Sequence, residues 1–424
     1  MLKNLLLLSL TVFLISSCAN GGLFESDKAP HPGKREPVFV SSNELKSKSS
    51  TVNTSSLAKP TSIKSWPVSN NFQSLSIQNI KFNDNFDLIK QVNVSWNKEN
   101  NSLPPIIDQG AIFVFHGNLL SKYNLETLEL IWTNSNIPNS EAIGGSLTIK
   151  DKKLFLADGT NSFRCFSADT GELIWQYTCA NAIRATPFIK DGIIYVITID
   201  NSVYAIHTKS GTHQWVVLSS SQAVINSPVG NSITASGNVV IVGQTNGNIE
   251  FLDINSGEKL TELAPSFSGD FLSNLAGGFT QPLLVKDPNL YFIDDRHQMT
   301  IFNSQTGEFQ TRTSIPQANY FWVNAGYSFV LSSNNIISAL DNQSGNIIWQ
   351  REVELSKDDK FYPPMIINSQ LMLFSKLGLV HTHDLKTGNK IDIFSLGQTI
   401  LTAPVVADDK LVAISGNGKL SVWN

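Results

Sequence analysis

Apolar and polar positions alternate along most of this chain in short runs, and the runs come in pairs. Segments such as IIYVIT, SVYAI, VVIVG and IISAL are five or six residues long and bounded by Asn, Asp, Ser and Gly. Runs of that length and composition predict short β-strands joined by tight turns. They recur in a common frame: DTGELIWQ (169–176), KSGTHQWV (209–216), NSGEKLTE (255–262), QTGEFQTR (305–312), QSGNIIWQ (343–350) and KTGNKIDI (386–393) place glycines at 171, 211, 257, 307, 345 and 388. A seventh copy, NLETLELIWT, carries Leu128 in the glycine place.

Each column of the repeat has a physical reason. Four residues before the glycine stand Asn124, Ser167, His207, Asp253, Asn303, Asp341 and Asp384, most of which can fold their side chains back onto nearby backbone N–H groups and open a turn. Ten before it stand Asn118, Asn161, Asn201, Gly247, His297, Asn335 and Gly378, residues that tolerate positive φ in a tight reversal. Four after it stand Trp132, Trp175, Trp215 and Trp349, and prolines at 105, 187, 228, 282, 364 and 404 open most units. A repeat of about 40 residues with four strands in a meander predicts an all-β fold, the β-propeller, in which radial repetition hides most sheet edges. Units opening near Pro105, Gly145, Pro187, Pro228, Pro282, Trp322, Pro364 and Pro404 give eight four-stranded antiparallel blades.

The last unit is short of a strand. Aligning KLSVWN with IISALD puts Gly418 in the reversal column and Asn424 in the turn column. The fourth strand is therefore expected from QVNVSWNKE, residues 91–99, which alternates and carries Trp96. On that reading an N-terminal strand completes the last blade and closes the ring.

Composition changes the picture at the N-terminus. Of 424 residues, 41% are apolar and 16% charged, with a formal net charge of −4. Residues 19–65 hold seven Lys/Arg against four Asp/Glu, whereas from Trp66 onward 31 acids face 23 bases, a net of −8. An acidic body without a basic stripe argues against a nucleic-acid groove. Lys3 precedes LLLLSLTVFLI, a run too short to span a bilayer stably, then Ser16, Ser17 and Cys18, which reads as a secretory signal ending at a cysteine. Residues 19–65, rich in Ser, Lys, Pro and Gly, read as a flexible polar tether, and 66–424 as the propeller.

Two motifs carry a family resemblance. LISSC resembles the bacterial lipobox, whose cysteine is diacylated and becomes the first residue of the mature protein; Ala19 after it, in Gram-negative lipoproteins, favours sorting to the outer membrane. CFSADTGELIW, YAIHTKSGTHQW and SALDNQSGNIIW are similar to the PQQ-type propeller repeat, whose tryptophans dock neighbouring blades. Together they resemble the BamB-type lipoprotein family of the outer-membrane β-barrel assembly machinery. That resemblance implies a scaffold without catalytic residues, metal or cofactor, lipid-anchored through Cys18 at the periplasmic face of the outer membrane. Its implied partners are the periplasmic domains of the central β-barrel assembly protein and, beyond it, unfolded outer-membrane clients; Trp96, Trp132, Trp175, Trp215 and Trp349 would dock blades. Two alternatives stand beside it: a periplasmic ligand-binding propeller, and a quinoprotein dehydrogenase using PQQ and calcium. The latter usually carries an adjacent cysteine pair, whereas Cys18, Cys165 and Cys179 are not neighbours.

A scaffold should carry its function in loops on one face of the ring. The longest unit contains TELAPSFSGDFLSNLAGGFTQP, in which Phe267, Phe271, Leu272, Leu275 and Phe279 are candidates for an apolar docking patch, and Arg184 in NAIRATP is a further loop candidate. In some family members the scaffold-binding positions are a Leu-and-Arg stretch before one blade and an acidic pair before the next. Here SSSQAVINSP and NLAGGFTQP lack those charges, so the positions do not carry over. His381 and His383 share one face of a strand and form a candidate metal pair, with surface or turn roles expected in the absence of a third ligand. Asp294 and Asp295 read as solvated. Cys165 and Cys179 read as too far apart along their hairpin to bridge.

The signal reading predicts that Cys18→Ser moves the protein from the membrane fraction to the soluble periplasm with an unchanged circular dichroism spectrum. Tight membrane association of the variant would contradict it.

Overall fold

Each repeat builds one antiparallel sheet. A computed structural model describes residues 51–69, 79–83, 85–94, 102–138, 144–219, 231–264 and 278–424. Among them, eight four-stranded sheets form, each from consecutive strands except the last. Blades 1 to 7 span 106–134, 146–178, 188–217, 232–263, 284–314, 318–352 and 365–395, and blade 8 joins 405–423 to the strand Leu88–Asn93. The second and third strands of the blades are almost wholly buried, as in YVI of blade 3, whereas fourth strands such as Leu173–Thr178 are largely exposed. The core therefore lies between blade faces, and the solvent-facing rim is made of the fourth strands.

The turn columns act as their chemistry suggests. Asn124 Oδ1 accepts from the backbone N–H groups of Glu126 and Thr127 at 2.9 Å, and Asp253 and Asn303 do the same in their own blades. The glycines that follow sit at φ between 71° and 75°, where a side chain costs strain. A second reason for glycine lies in the neighbouring blade. Trp132, Trp175, Trp215 and Trp349 donate their indole N–H to Ala168, Thr208, Ile254 and Leu385 carbonyls of the following blade at 3.0–3.2 Å. Their rings lie flat on Gly171, Gly211, Gly257 and Gly388, where an added Cβ would stand only 2.5–2.7 Å from the indole. The tryptophan and glycine columns are thus two halves of one contact between blades.

Where one half is missing the other is relaxed. Thr261 occupies the tryptophan place in blade 4, and an added Cβ at Gly307 of blade 5 would meet nothing within 4 Å; Phe251 and Phe302, 6.1 Å apart, pack that junction instead.

The N-terminal strand closes the ring. Val92 pairs with Leu420 and Gln91 with Ser421, and Asp87 and Asn424 exchange backbone hydrogen bonds of 3.1 and 3.2 Å. The strand runs over Leu88–Asn93 and so begins before the expected residue 91, because Asn424 of its partner fixes the register; alternation in an outer, exposed strand marks no start. Trp96 lies outside the described residues.

The expected tether boundary at residue 65 needs correction. Residues 52–69 and 79–82 lie against the ring, at the end where the first and second strands of each blade turn. Val52 N–H donates to Lys386 O at 3.1 Å, Trp66 and Ile107 exchange bonds of 2.7 and 3.0 Å, and Ile80 bonds Ile366 and Asn368 at 2.9 and 2.8 Å. Trp66 and Ile80 are fully buried. Main-chain pairing asks for no hydrophobic period, so isolated apolar residues among Ser and Lys suffice.

The contact between blades predicts unequal costs for equal substitutions. Gly307→Ala should cost about 1–2 kcal/mol through backbone strain alone. Gly388→Ala should add about 1–3 kcal/mol of overpacking against Trp349. Thermal melts of the two variants compare them, and equal losses would mean that the indole yields without cost.

Candidate functional site

All eight blades meet at the end of the channel opposite the N-terminal segment. The stretches that lead into their first strands surround a funnel of about 610 Å³. Gly145 shows how tightly these stretches pass the second strand: at φ 111° an added Cβ would stand 2.1 Å from Ala157 O. Prolines 104, 282 and 363 stiffen other lead-ins of the same wall.

The polar groups of the wall are mostly engaged with the protein itself. Gln281 Oε1 accepts from Phe321 N–H at 2.9 Å, the Tyr362 hydroxyl donates to Ile400 O at 3.0 Å, and Asn231 Nδ2 donates to Thr198 O at 2.6 Å. Burial pushes the Tyr362 and Tyr320 hydroxyls upward, so both stay neutral and hydrogen-bonding across the physiological range. Arg184 differs. It is exposed, it is the charged side chain among the described lining residues, and its stem rests 3.6–3.8 Å from where a Cβ on Gly144 would be. Such a mouth can recognise a surface by shape, aromatic contact and one guanidinium. It offers no paired carboxylates for acid–base chemistry among the described lining residues.

The other sequence candidates fall elsewhere. Phe279 is 4% exposed and packs edge-on against Phe292, 5.7 Å away, beside Gly243 of blade 4. It fills the wall between blades 4 and 5 and is not a docking residue. Phe267, Phe271, Leu272 and Leu275 lie outside the described residues. Asp294 is buried, not solvated: its carboxylate accepts from Arg296 and Gln298 N–H at 3.0 and 2.9 Å, and burial raises its pKa. Cys165 and Cys179 are buried free thiols, each pushed up to about 12 by burial.

His381 and His383 are each 2% exposed, contrary to a surface role. His383 Nδ1 lies 3.1 Å from Gly388 O, in the turn that receives Trp349, and His381 stacks edge-on against Phe361 at 5.2 Å. Among the described residues no group of three or more His, Cys, Asp or Glu is placed to hold a metal ion. The pair belongs to the packing of blade 7. Sequence reasoning missed Gln281, Tyr320, Tyr362 and Thr402 as wall residues; for Gln281, Tyr362 and Thr402 the position just before a first strand was the available signal, whereas Tyr320 lies within the first strand of blade 6.

Comparison with known proteins adds a family. A family model described as outer membrane protein assembly factor BamB matches residues 116–351. The outer membrane protein assembly factors BamB of Yersinia pestis and Burkholderia pseudomallei are both 22% identical to the chain, over 286 and 332 residues, covering 66% and 75% of it and 71% and 82% of their own lengths. The crystal structure of BamB from Moraxella catarrhalis superposes with a TM-score of 0.64 at 18% identity, over 80% of this chain and 99% of that one. Quinohaemoprotein alcohol dehydrogenase from Comamonas testosteroni also reaches 0.64, at 12% identity over 85% and 80%, so the fold alone does not separate scaffold from enzyme. The funnel wall bears on that choice. A calcium-held quinone needs several oxygen ligands, carboxylates among them, and the described lining residues include no carboxylate; they do not fit that group.

The buried histidines give this blade a pH signature. Burial, with Lys390 nearby, lowers both pKa values, and burial lowers that of His116. The folded protein then resists protonation while the unfolded chain takes up protons as pH falls below about 6.5. Stability from these groups is complete above that value and declines as pH drops through the folded values. The melting temperature should therefore fall between pH 7.5 and pH 5, and His381→Asn with His383→Asn should flatten part of that fall; an unchanged slope would show that other groups carry it.

Proposed function

Because the chain belongs to the family described as outer membrane protein assembly factor BamB, we propose that it is a non-catalytic scaffold of the outer-membrane β-barrel assembly machinery. On this reading Cys18 carries the lipid anchor at the periplasmic face of the outer membrane, residues 19–50 form the tether, and the ring docks on the periplasmic domains of the central assembly protein. Unfolded outer-membrane proteins are then its indirect clients.

The family match over residues 116–351 carries the proposal. The funnel supports a docking role more than a chemical one, since wall groups such as Gln281 and Tyr362 already have partners while Arg184 does not spend its charge on a carboxylate in the described wall. Arginines at the centre of a concave patch are frequent energetic anchors of interfaces. Arg184 is therefore the primary contact in this proposal, and Phe267, Phe271, Leu272 and Leu275 are its further apolar candidates. Rim hydrophobics such as Leu130, Ile131, Leu173 and Ile174 are exposed on fourth strands, but no described feature selects a partner for them.

Affinity capture of the full lipidated chain from detergent-solubilised membranes tests the proposal. The expected co-purifying species is a β-barrel membrane protein with periplasmic domains, and Arg184→Glu should reduce its recovery at least fivefold without lowering the melting temperature. Capture without any outer-membrane assembly component would overturn the scaffold reading; equal recovery with Arg184→Glu would remove the funnel mouth from the interface. Turnover of alcohols or sugars with PQQ, calcium and an artificial electron acceptor would instead favour the enzyme alternative.

A further inference from the structure

Four junctions between blades carry the tryptophan-on-glycine contact: 1–2, 2–3, 3–4 and 6–7. At junction 5–6 the tryptophan place holds Thr311, and Thr313 Oγ1 donates to Gly345 O at 2.7 Å. Junctions 7–8 and 8–1 flank the closing strand and lack a tryptophan on glycine, although at 7–8 Trp423 Nε1 of blade 8 donates to Leu396 O at the end of blade 7 at 3.2 Å. In blade 7 the tryptophan place is Asp392. In blade 8 Lys90 pairs with Val422 as Trp175 pairs with Cys165, so an exposed lysine stands where the indole would be. Leu128 of blade 1, at φ 56°, fills the glycine place facing it and is buried in the same cluster as Phe86 and Trp423.

The N-terminal segment crosses these same junctions on the inside of the ring. Ile80 bridges Ile367 on the innermost strand of blade 7, and Thr61 lies parallel to Ile80 one strand further in. Ile63 O then receives the Asp408 N–H of blade 8 at 2.8 Å, with Lys64 Nζ 2.8 Å from the Asp408 carboxylate. Trp66 pairs with Ile107 of blade 1, and Pro67 O receives the Ile149 N–H of blade 2 at 2.9 Å. One continuous stretch, 61–69, thus bonds in turn to blades 8, 1 and 2, while its neighbour 79–82 holds blade 7. Two strand spacings inward from blade 7 is about 10 Å of chain laid into the channel.

We propose that this segment is a second, inner closure of the ring: a strap that takes over from the missing tryptophan-on-glycine contacts at junctions 7–8 and 8–1 and at the same time plugs the hairpin end of the channel. Loosening the seam and opening that end are then one event. The outer closure by Leu88–Asn93 and the inner closure by residues 61–69 and 79–82 both come from the N-terminal part of the chain, so the seam is gripped on both its rim and its axis. The funnel by Arg184 is reached from the opposite face, clear of the strap. This inference goes beyond the scaffold reading and does not depend on it.

Hydrogen–deuterium exchange on the full chain, resolved by peptide mass spectrometry, tests it with Trp66→Ala and the milder Ile80→Val. The expected result is exchange at least tenfold faster in peptides containing the Ile107, Ile149, Asn368 and Asp408 amides, with peptides from the innermost strands of blades 3 and 5 (188–190 and 284–286) unchanged. Ile80→Val should give the same pattern at smaller size, which keeps the test decisive if Trp66→Ala fails to fold. Equal acceleration around the whole ring would make the segment ordinary packing, and no acceleration at the four amides would mean that the seam holds without it; either result overturns the proposal.

Discussion

An indole ring lying on a left-handed glycine of the next blade is the contact on which this ring depends. It explains at once why glycine recurs in the third turn and why tryptophan recurs four residues later. At Gly307 the glycine survives for its backbone, at φ 74°, although nothing lies over it. At the seam the glycine gives way to Leu128, which can carry a side chain because no indole competes for the space. A repeat protein is close to a chain of nearest-neighbour terms, and a closed ring adds one constraint: every junction must hold, including the one where the chain's two ends meet.

How much of this was legible depends on which force fixed each residue. Turn columns and blade count were readable because turn geometry restricts residue type at one position, as Asp253 and Gly257 show. Closure by an N-terminal strand was readable for the same reason, from Asn424 standing in a turn column with no strand after it. Its limits were not, since Leu88, Ile89 and Lys90 all face solvent on one side or the other and impose no period. The inner segment was the least legible part. Its bonds are main chain to main chain, and its single tryptophan among Ser, Pro and Lys looked like the start of a domain when it is the middle of a packed stretch.

The candidate site was legible in outline and wrong in detail. Arg184, singled out as a loop residue, does stand in the funnel wall. Phe279 looked like its loop neighbours because sequence cannot say where a loop ends and a wall begins; it bridges to Asp294 and sits in the core between blades. His381 and His383 misled in the opposite direction. Alternation suggested one shared face, which is correct, but their burial came from blade 7 facing its neighbours on both sides, a property of the ring and not of the strand.

The two ends of the channel are made by different rules, and this bears on function. The hairpin end is formed by regular turns, which leave free inner edges, and unpaired strand edges are costly or adhesive; the chain's own N-terminal segment covers those of blades 1, 2, 7 and 8. The funnel end is formed by long lead-ins that vary from blade to blade, from Gly144 and Gly145 before blade 2 to Pro363 before blade 7. Those stretches pair their polar groups with the next blade, as Gln281 does with Phe321 N–H and Tyr362 with Ile400 O, outside the repeated turn columns. A surface free to vary without unfolding the ring is where recognition can be built. Under the docking proposal, closure falls to one end of the ring and recognition to the other.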